Sequence, residues 1–188
     1  MITNTHPIHY IRSSILKKTP SMVLEFSRYV YLTQGRTESR EIFSVEAGQV
    51  DMEWLNQEID NLTESQELAF HSKIQCNSSV FHIPMVDFVN TASVEDVKFQ
   101  MGLISKKLCA DIRYYNSGRS LHGYFLCSVN EKQWYEFLGS LLLCNSATTV
   151  DQIFIDSRWI GHSLEHGFSA LRWSHNSGMY KSLPRIIK

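Results

Sequence analysis

The segment Ser120-Leu121-His122 has the spacing in this chain that most clearly points to chemistry. Side chains two apart on a strand share a face, so a strand opening here sets a hydroxyl beside an imidazole. A polar turn, Asn116-Ser117-Gly118-Arg119, precedes it. Two apolar runs elsewhere, residues 80–88 and 150–155, end at or beside lone aspartates, Asp87 and Asp156. Transfer of phosphoryl groups needs carboxylates to hold divalent metal and donors or cations to hold a triphosphate. Asp87 and Asp156 are candidates for the first task, and Ser117, Ser120, His122, Arg172 and Lys181 for the second. Arginine suits phosphate because its planar fork donates two parallel hydrogen bonds.

Each residue also has a plainer role. An aspartate at the end of an apolar run often caps a helix, Ser117 and Gly118 make a turn, and Trp159 and Trp173 pack. His162 and His166 share a helix face, but no third ligand is evident, so no metal site is expected there.

The elements that must position these residues are legible from about residue 67. Residues 80–88 read as one strand, with Pro84 marking an edge or a bulge. Val94, Val97, Met101, Ile104 and Leu108 follow helical spacing, and Ser93 with Asp96 is a capping signature. Residues 111–115 and 121–128 are strands around the turn, a hairpin. Asn130 with Gln133 caps a helix carrying Trp134, Phe137, Leu138 and Leu141. Residues 150–155 form a last strand. Strand, helix, strand, strand, helix, strand is the split βαβ order of a ferredoxin- or RRM-like core, an α+β fold with an antiparallel sheet. Ser157 is expected to cap a short helix ending at Gly167, followed by a strand over 168–173 and a return arm at 179–181. Residues 1–66 form an N-terminal α/β extension in which residues 22–32 fit either strand or helix. A surface helix starts near Asp51. The whole, residues 1–188, is expected to be a single domain, with 67–188 as the core and C-terminal hairpin.

The chain has 188 residues, 43% of them hydrophobic and 20% charged, with a net charge of −1. That composition is globular and excludes a generic polyanion binder. Residues 38–67 are acidic and could dock a protein partner. Four scattered cysteines without a C-x-x-C fit buried thiols in a reducing, cytoplasmic setting. No apolar run reaches the ~20 residues of a membrane span, so no membrane partner is expected.

The constellation resembles the archaeo-eukaryotic primase superfamily, the primase small subunits and primase-polymerases. That family pairs an acidic Asp-x-Asp or Asp-x-Glu with Ser-x-His and an apolar-Asp motif. Here the last two stand as Ser120-Leu121-His122 and Ile155-Asp156. The tail, from Asp156 through residues 164–172 to Asn176-Ser177-Gly178 and Leu183-Pro184, is similar to the end of a primase small subunit. The resemblance covers roughly residues 80–188 and is closest to bacterial minimal primase-like proteins. It implies a nucleotidyltransferase in which Asp87 and Asp156 hold Mg²⁺ or Mn²⁺ and serve catalysis with His122. Ser117, Ser120, His122, Arg172 and Lys181 would contact a nucleoside triphosphate, and the partner strand would be DNA or RNA. One departure stands out: the second acid of the first motif is Val89. That leaves a nucleotide- or nucleic-acid-binding module with impaired catalysis, in a larger assembly such as a bacterial defence system, as the alternative. Asp111 is a further candidate for the missing carboxylate.

Overall fold

A computed structural model of the chain describes residues 5–14, 21–30, 39–145, 152–180 and 182–187. The ambiguous segment from Met22 is a strand, β1 (Met22–Val30), lying antiparallel between β2 (Arg40–Glu46) and β3 (Gln66–Cys76). Leu24 and Phe26 enter the first core with Phe70, Ile74 and Trp173. Helix α1 (Pro7–Ser14) adds Ile8 and Ile11 to it, and α2 (Met52–Asp60) adds Leu55. As expected, Asp51 caps α2, its carboxylate accepting from the Trp54 amide at 2.8 Å. Part of the acidic face is neutralised within the chain, since Arg28 pairs with Glu58 at 2.7 Å and Glu41 at 3.2 Å. The central β3 has no counterpart among the expected elements. Residues 67–72 are buried on both faces, so the run lacks the polar alternation that marks a half-exposed strand.

The single strand expected over 80–88 is two strands in two sheets. β4 (Ser79–His82) pairs with β3, and β5 (Met85–Asp87) pairs with β7 (Leu121–Phe125). Pro84 sits at the break, and β5 lies on the outside of its strand ladder, with one isolated bridge beyond it among the described residues. The second sheet runs β5-β7-β6-β9, with β6 at Ile112–Asn116 and β9 at Arg185–Ile186. Two capped helices cover one face: α3 (Val94–Leu108), begun by Ser93, and α4 (Glu131–Leu142), begun by the reciprocal Asn130–Gln133 box. Val86, Phe88, Leu121 and Phe125 pack against Met101, Trp134 and Leu138 of these helices. The strand period then turns Asp87 and His122, which are register partners, to the other face.

The strand expected over 150–155 reduces, within the described residues, to one antiparallel bridge between Phe88 and Ile155; positions 150 and 151 lie outside them. The Asn145 amide takes the place of a ladder, accepting from the Phe154 and Ile155 amides and donating to the Ile155 carbonyl. Helix α5 (Ser157–His166) is capped by Asp156, not by Ser157, and stops at Gly167 in the left-handed region. β8 (Ala170–Arg172) lies within the expected strand and joins β3. The return arm expected at 179–181 does not form at Met179 and Tyr180, and Lys181 lies outside the described residues. The turn is instead tied to buried Glu67, which accepts from the Ser174 hydroxyl, the Asn176 and Ser177 amides and the Ser177 hydroxyl. The thiols are less buried than expected: Cys109 is exposed, the other three are half-buried, and all are free. The architecture is α+β with antiparallel sheets.

Three histidines away from the aspartates are held neutral by burial. His6 is pushed down to about 3, His82 to about 4, and His71 is also lowered. Their folded pKa values lie below the unfolded value of 6.5, so the unfolded chain takes up their protons first. Their stabilisation is complete above that value and is lost progressively as pH falls below it, by up to about 1.4 kcal/mol per pH unit for a histidine whose folded value lies well below. Thermal melts are expected to drop steadily between pH 6.5 and 4.5; a flat profile would contradict this assignment.

Candidate functional site

Between the two sheets lies a cleft of about 270 Å³. Its walls include Asp87, Ser117, Ser120, His122, Asp156 and Arg172, so the structure gathers six of the seven candidates. The seventh, Lys181, is outside the described residues.

The two aspartates meet because their backbones do. The Asp156 amide donates to the Asp87 carbonyl at 3.1 Å, next to the Phe88–Ile155 bridge. Burial and the nearby Asp156 charge push the Asp87 carboxyl up to about 7. Two carboxylates in one poorly solvated place repel, and a divalent cation relieves that repulsion. Asp87 Oδ1 accepts from the Ser120 hydroxyl at 3.1 Å and lies 3.7 Å from His122 Nε2. Asp156 has a structural duty as well, its Oδ1 accepting from the Arg158 and Trp159 amides. His122 is neutral, driven down to about 3 by burial and by Arg172, and its Nδ1 has no hydrogen-bond partner among the described residues.

The turn before His122 is held by its own side chains. Asn116 accepts from the Gly118 amide, and the Ser117 hydroxyl donates to the Ser120 carbonyl. Gly118 has φ +87, and a Cβ there would lie 2.9 Å from the Ser182 backbone. Only glycine fits both demands. Ser117 thus has the plainer role for its hydroxyl, while its carbonyl accepts from Arg172 Nη2. That bond carries Arg172 from the first sheet to the turn of the second.

Arg172 is only 4% exposed. Its Nη2 also reaches the Ser182 carbonyl, and the Tyr180 ring lies 3.8 Å from the guanidinium carbon. Among the described residues, Nε and Nη1 find no hydrogen-bond partner. Leaving a buried donor unsatisfied costs about 1–3 kcal/mol, a cost that an anion in the cleft could relieve.

The cleft also holds residues no motif pointed to. Tyr29 and Arg40 come from β1 and β2, with Arg40 over the Tyr29 ring at 4.5 Å. Behind Arg40 runs a chain of hydrogen bonds: Arg40 Nη1 to Ser27 Oγ at 2.6 Å, Ser27 Oγ to His71 Nε2 at 2.8 Å, His71 Nδ1 to Glu25 at 2.8 Å. Ser27 and His71 are fully buried, so the chain positions Arg40 and offers no nucleophile to the cleft. Pairing of β1 with both β2 and β3 assembles it, and local spacing carries no trace of it. Arg119 and Arg158 also line the cleft, and both adjoin motif residues in sequence. Val89 lines it two residues after Asp87, but Asp111 does not, lying at the far end of β6 from the turn. Trp173 is a packing residue, its indole donating to the Tyr124 hydroxyl, whereas Trp159 both lines the cleft and packs against the two cores, its indole donating to the Ala170 carbonyl.

The family model for the archaeo-eukaryotic primase 1D-like group matches residues 46–185, well over half of the chain. The chain belongs to the archaeo-eukaryotic primase superfamily. The match takes in β3 and α2 as well as every candidate residue, so the primase-like unit extends upstream of the resemblance read from the motifs. No curated protein and no solved structure matches the chain significantly. Among the described residues, no helix of this primase-like protein is long and apolar enough to cross a membrane.

Proposed function

We propose that the cleft binds a nucleoside triphosphate together with Mg²⁺ or Mn²⁺, and that the chain acts as a primase-like nucleotidyltransferase on DNA or RNA. The observation that carries this is the buried Arg172 guanidinium, two of whose donors find no partner among the described residues, in the same cleft as the Asp87–Asp156 pair. With the fold goes a finer reading: the order Ile155, β5, β7, β6 is that of a ferredoxin- or RRM-like sheet.

The residues present fit a hard cation. Asp87 and Asp156 offer carboxylate oxygens, the ligands such ions take, and their repulsion supplies a reason to bind one. A bound ion would neutralise triphosphate charge and polarise the phosphoryl oxygens. The chain's own groups do the rest. Arg172 grips phosphate oxygens, the Ser120 hydroxyl fixes the Asp87 carboxylate, and neutral His122 offers Nδ1 to a polar atom of the substrate. Calorimetric titration with a nucleoside triphosphate and Mn²⁺ tests the proposal. Metal-dependent binding is expected, and none by the folded protein would end it.

Val89 favours a second reading, a binding module with impaired polymerisation, because two carboxylates hold two ions less well than three. Val89→Asp is expected to tighten Mn²⁺ binding about tenfold or more, the scale at which changes near a metal register. It should also create or raise nucleotide incorporation in a primer-extension assay. No change in either would remove Asp87 from the role of first acid.

A further inference from the structure

We propose that His162, Glu165 and His166 form a second metal site on the rim of the cleft, selective for a borderline transition ion such as Zn²⁺ or Co²⁺. The inference stands independently of the nucleotide reading. Residues at i, i+3 and i+4 share one face of α5, and two histidines one turn apart are a known zinc-binding spacing. One ligand atom from each of the three residues lies within 4.8 Å of the other two. His162 Nδ1 and a Glu165 oxygen are already 3.8 Å apart. Metal bonds of about 2.0–2.2 Å then require these half-buried and exposed side chains to reorient, since the two imidazoles lie nearly parallel at 22° with centroids 6.0 Å apart.

The helix prepares one ligand. His166 Nδ1 lies 2.8 Å from the His162 carbonyl, to which it donates. That bond leaves Nε2 as the lone-pair nitrogen, the arrangement that orients metal-binding imidazoles elsewhere. The helix is fixed by Asp156 at its start, Gly167 at its end and the Trp159–Ala170 bond between. Glu165 supplies the third ligand that the sequence pattern alone did not reveal, because its position in the His162–His166 triangle depends on its rotamer. Imidazole favours Zn²⁺ and Co²⁺ over Mg²⁺, whereas the Asp87–Asp156 pair favours hard ions. The two sites therefore select different metals.

Titration of the purified full chain with Co²⁺ in excess Mg²⁺, followed by visible absorption, tests this. One Co²⁺ per chain is expected. Binding should weaken about tenfold or more in His162→Gln and in His166→Gln, at least the loss seen when a metal's outer partners are removed. It should persist in Asp156→Asn. Because His166 is exposed, His166→Gln should melt like the wild type without metal and decides the matter if His162→Gln folds poorly. Loss of the Co²⁺ signal in excess Mg²⁺ or in Asp156→Asn would assign the ion to the carboxylates. Unchanged binding in both histidine variants, or no Co²⁺ binding, would also overturn the proposal.

Discussion

Asp156→Asn is expected to abolish metal-dependent nucleotide binding while leaving the metal-free fold within about 1 kcal/mol of wild type, the scale of a charge at a helix N-terminus. Asparagine keeps the oxygen that accepts from the Arg158 and Trp159 amides, so α5 stays capped. It also removes the charge that, with burial, pushes the Asp87 carboxyl up. Asp156→Ala should lose the same binding and a further ~0.5–2 kcal/mol of stability, because the cap goes with the charge. Calorimetry beside thermal melts separates the two duties of this residue. If Asp156→Asn bound triphosphate and Mn²⁺ as tightly as wild type, Asp156 would be a cap and nothing more.

Arg172→Met should show the largest loss of affinity that does not involve metal. Two charge-assisted hydrogen bonds to phosphate, each about 1.5–3 kcal/mol, correspond to at least about 100-fold weaker triphosphate binding. Stability should move less than affinity. The variant gives up the contacts to the Ser117 and Ser182 carbonyls and to Tyr180, but also removes a buried charge with two unsatisfied donors. Arg172→Lys should be intermediate, since it keeps the charge and loses the fork. A variant that melts far below wild type yet binds nucleotide normally would make Arg172 a strut between the sheets.

Much of the second sheet was legible because its signals are local. Ser93 and Asn130 announce their helices through residues three positions on, and Asn116 to Gly118 announce the hairpin. The errors have local causes too. Pro84 reads as an irregularity in one strand, yet the break it marks sends β4 and β5 to different sheets. The cap of α5 shifted by one residue because Asp156 and Ser157 are both good N-cap types. The return arm near residue 180 failed because Glu67, over a hundred positions earlier, claims the turn's donors.

By itself the sequence pointed to Ser120 and His122 as neighbours on one face, and both do meet Asp87, although Ser120 lies in the turn just before β7. It also determined the family through motifs whose order survives without coordinates. Tertiary structure alone decided that Asp87 and Asp156 lie side by side, that Arg172 crosses to the turn at Ser117, and that Tyr29 and Arg40 join the cleft. Those are pairings between segments far apart in the chain, fixed by burial and hydrogen-bond satisfaction over the whole fold, and no local spacing encodes them.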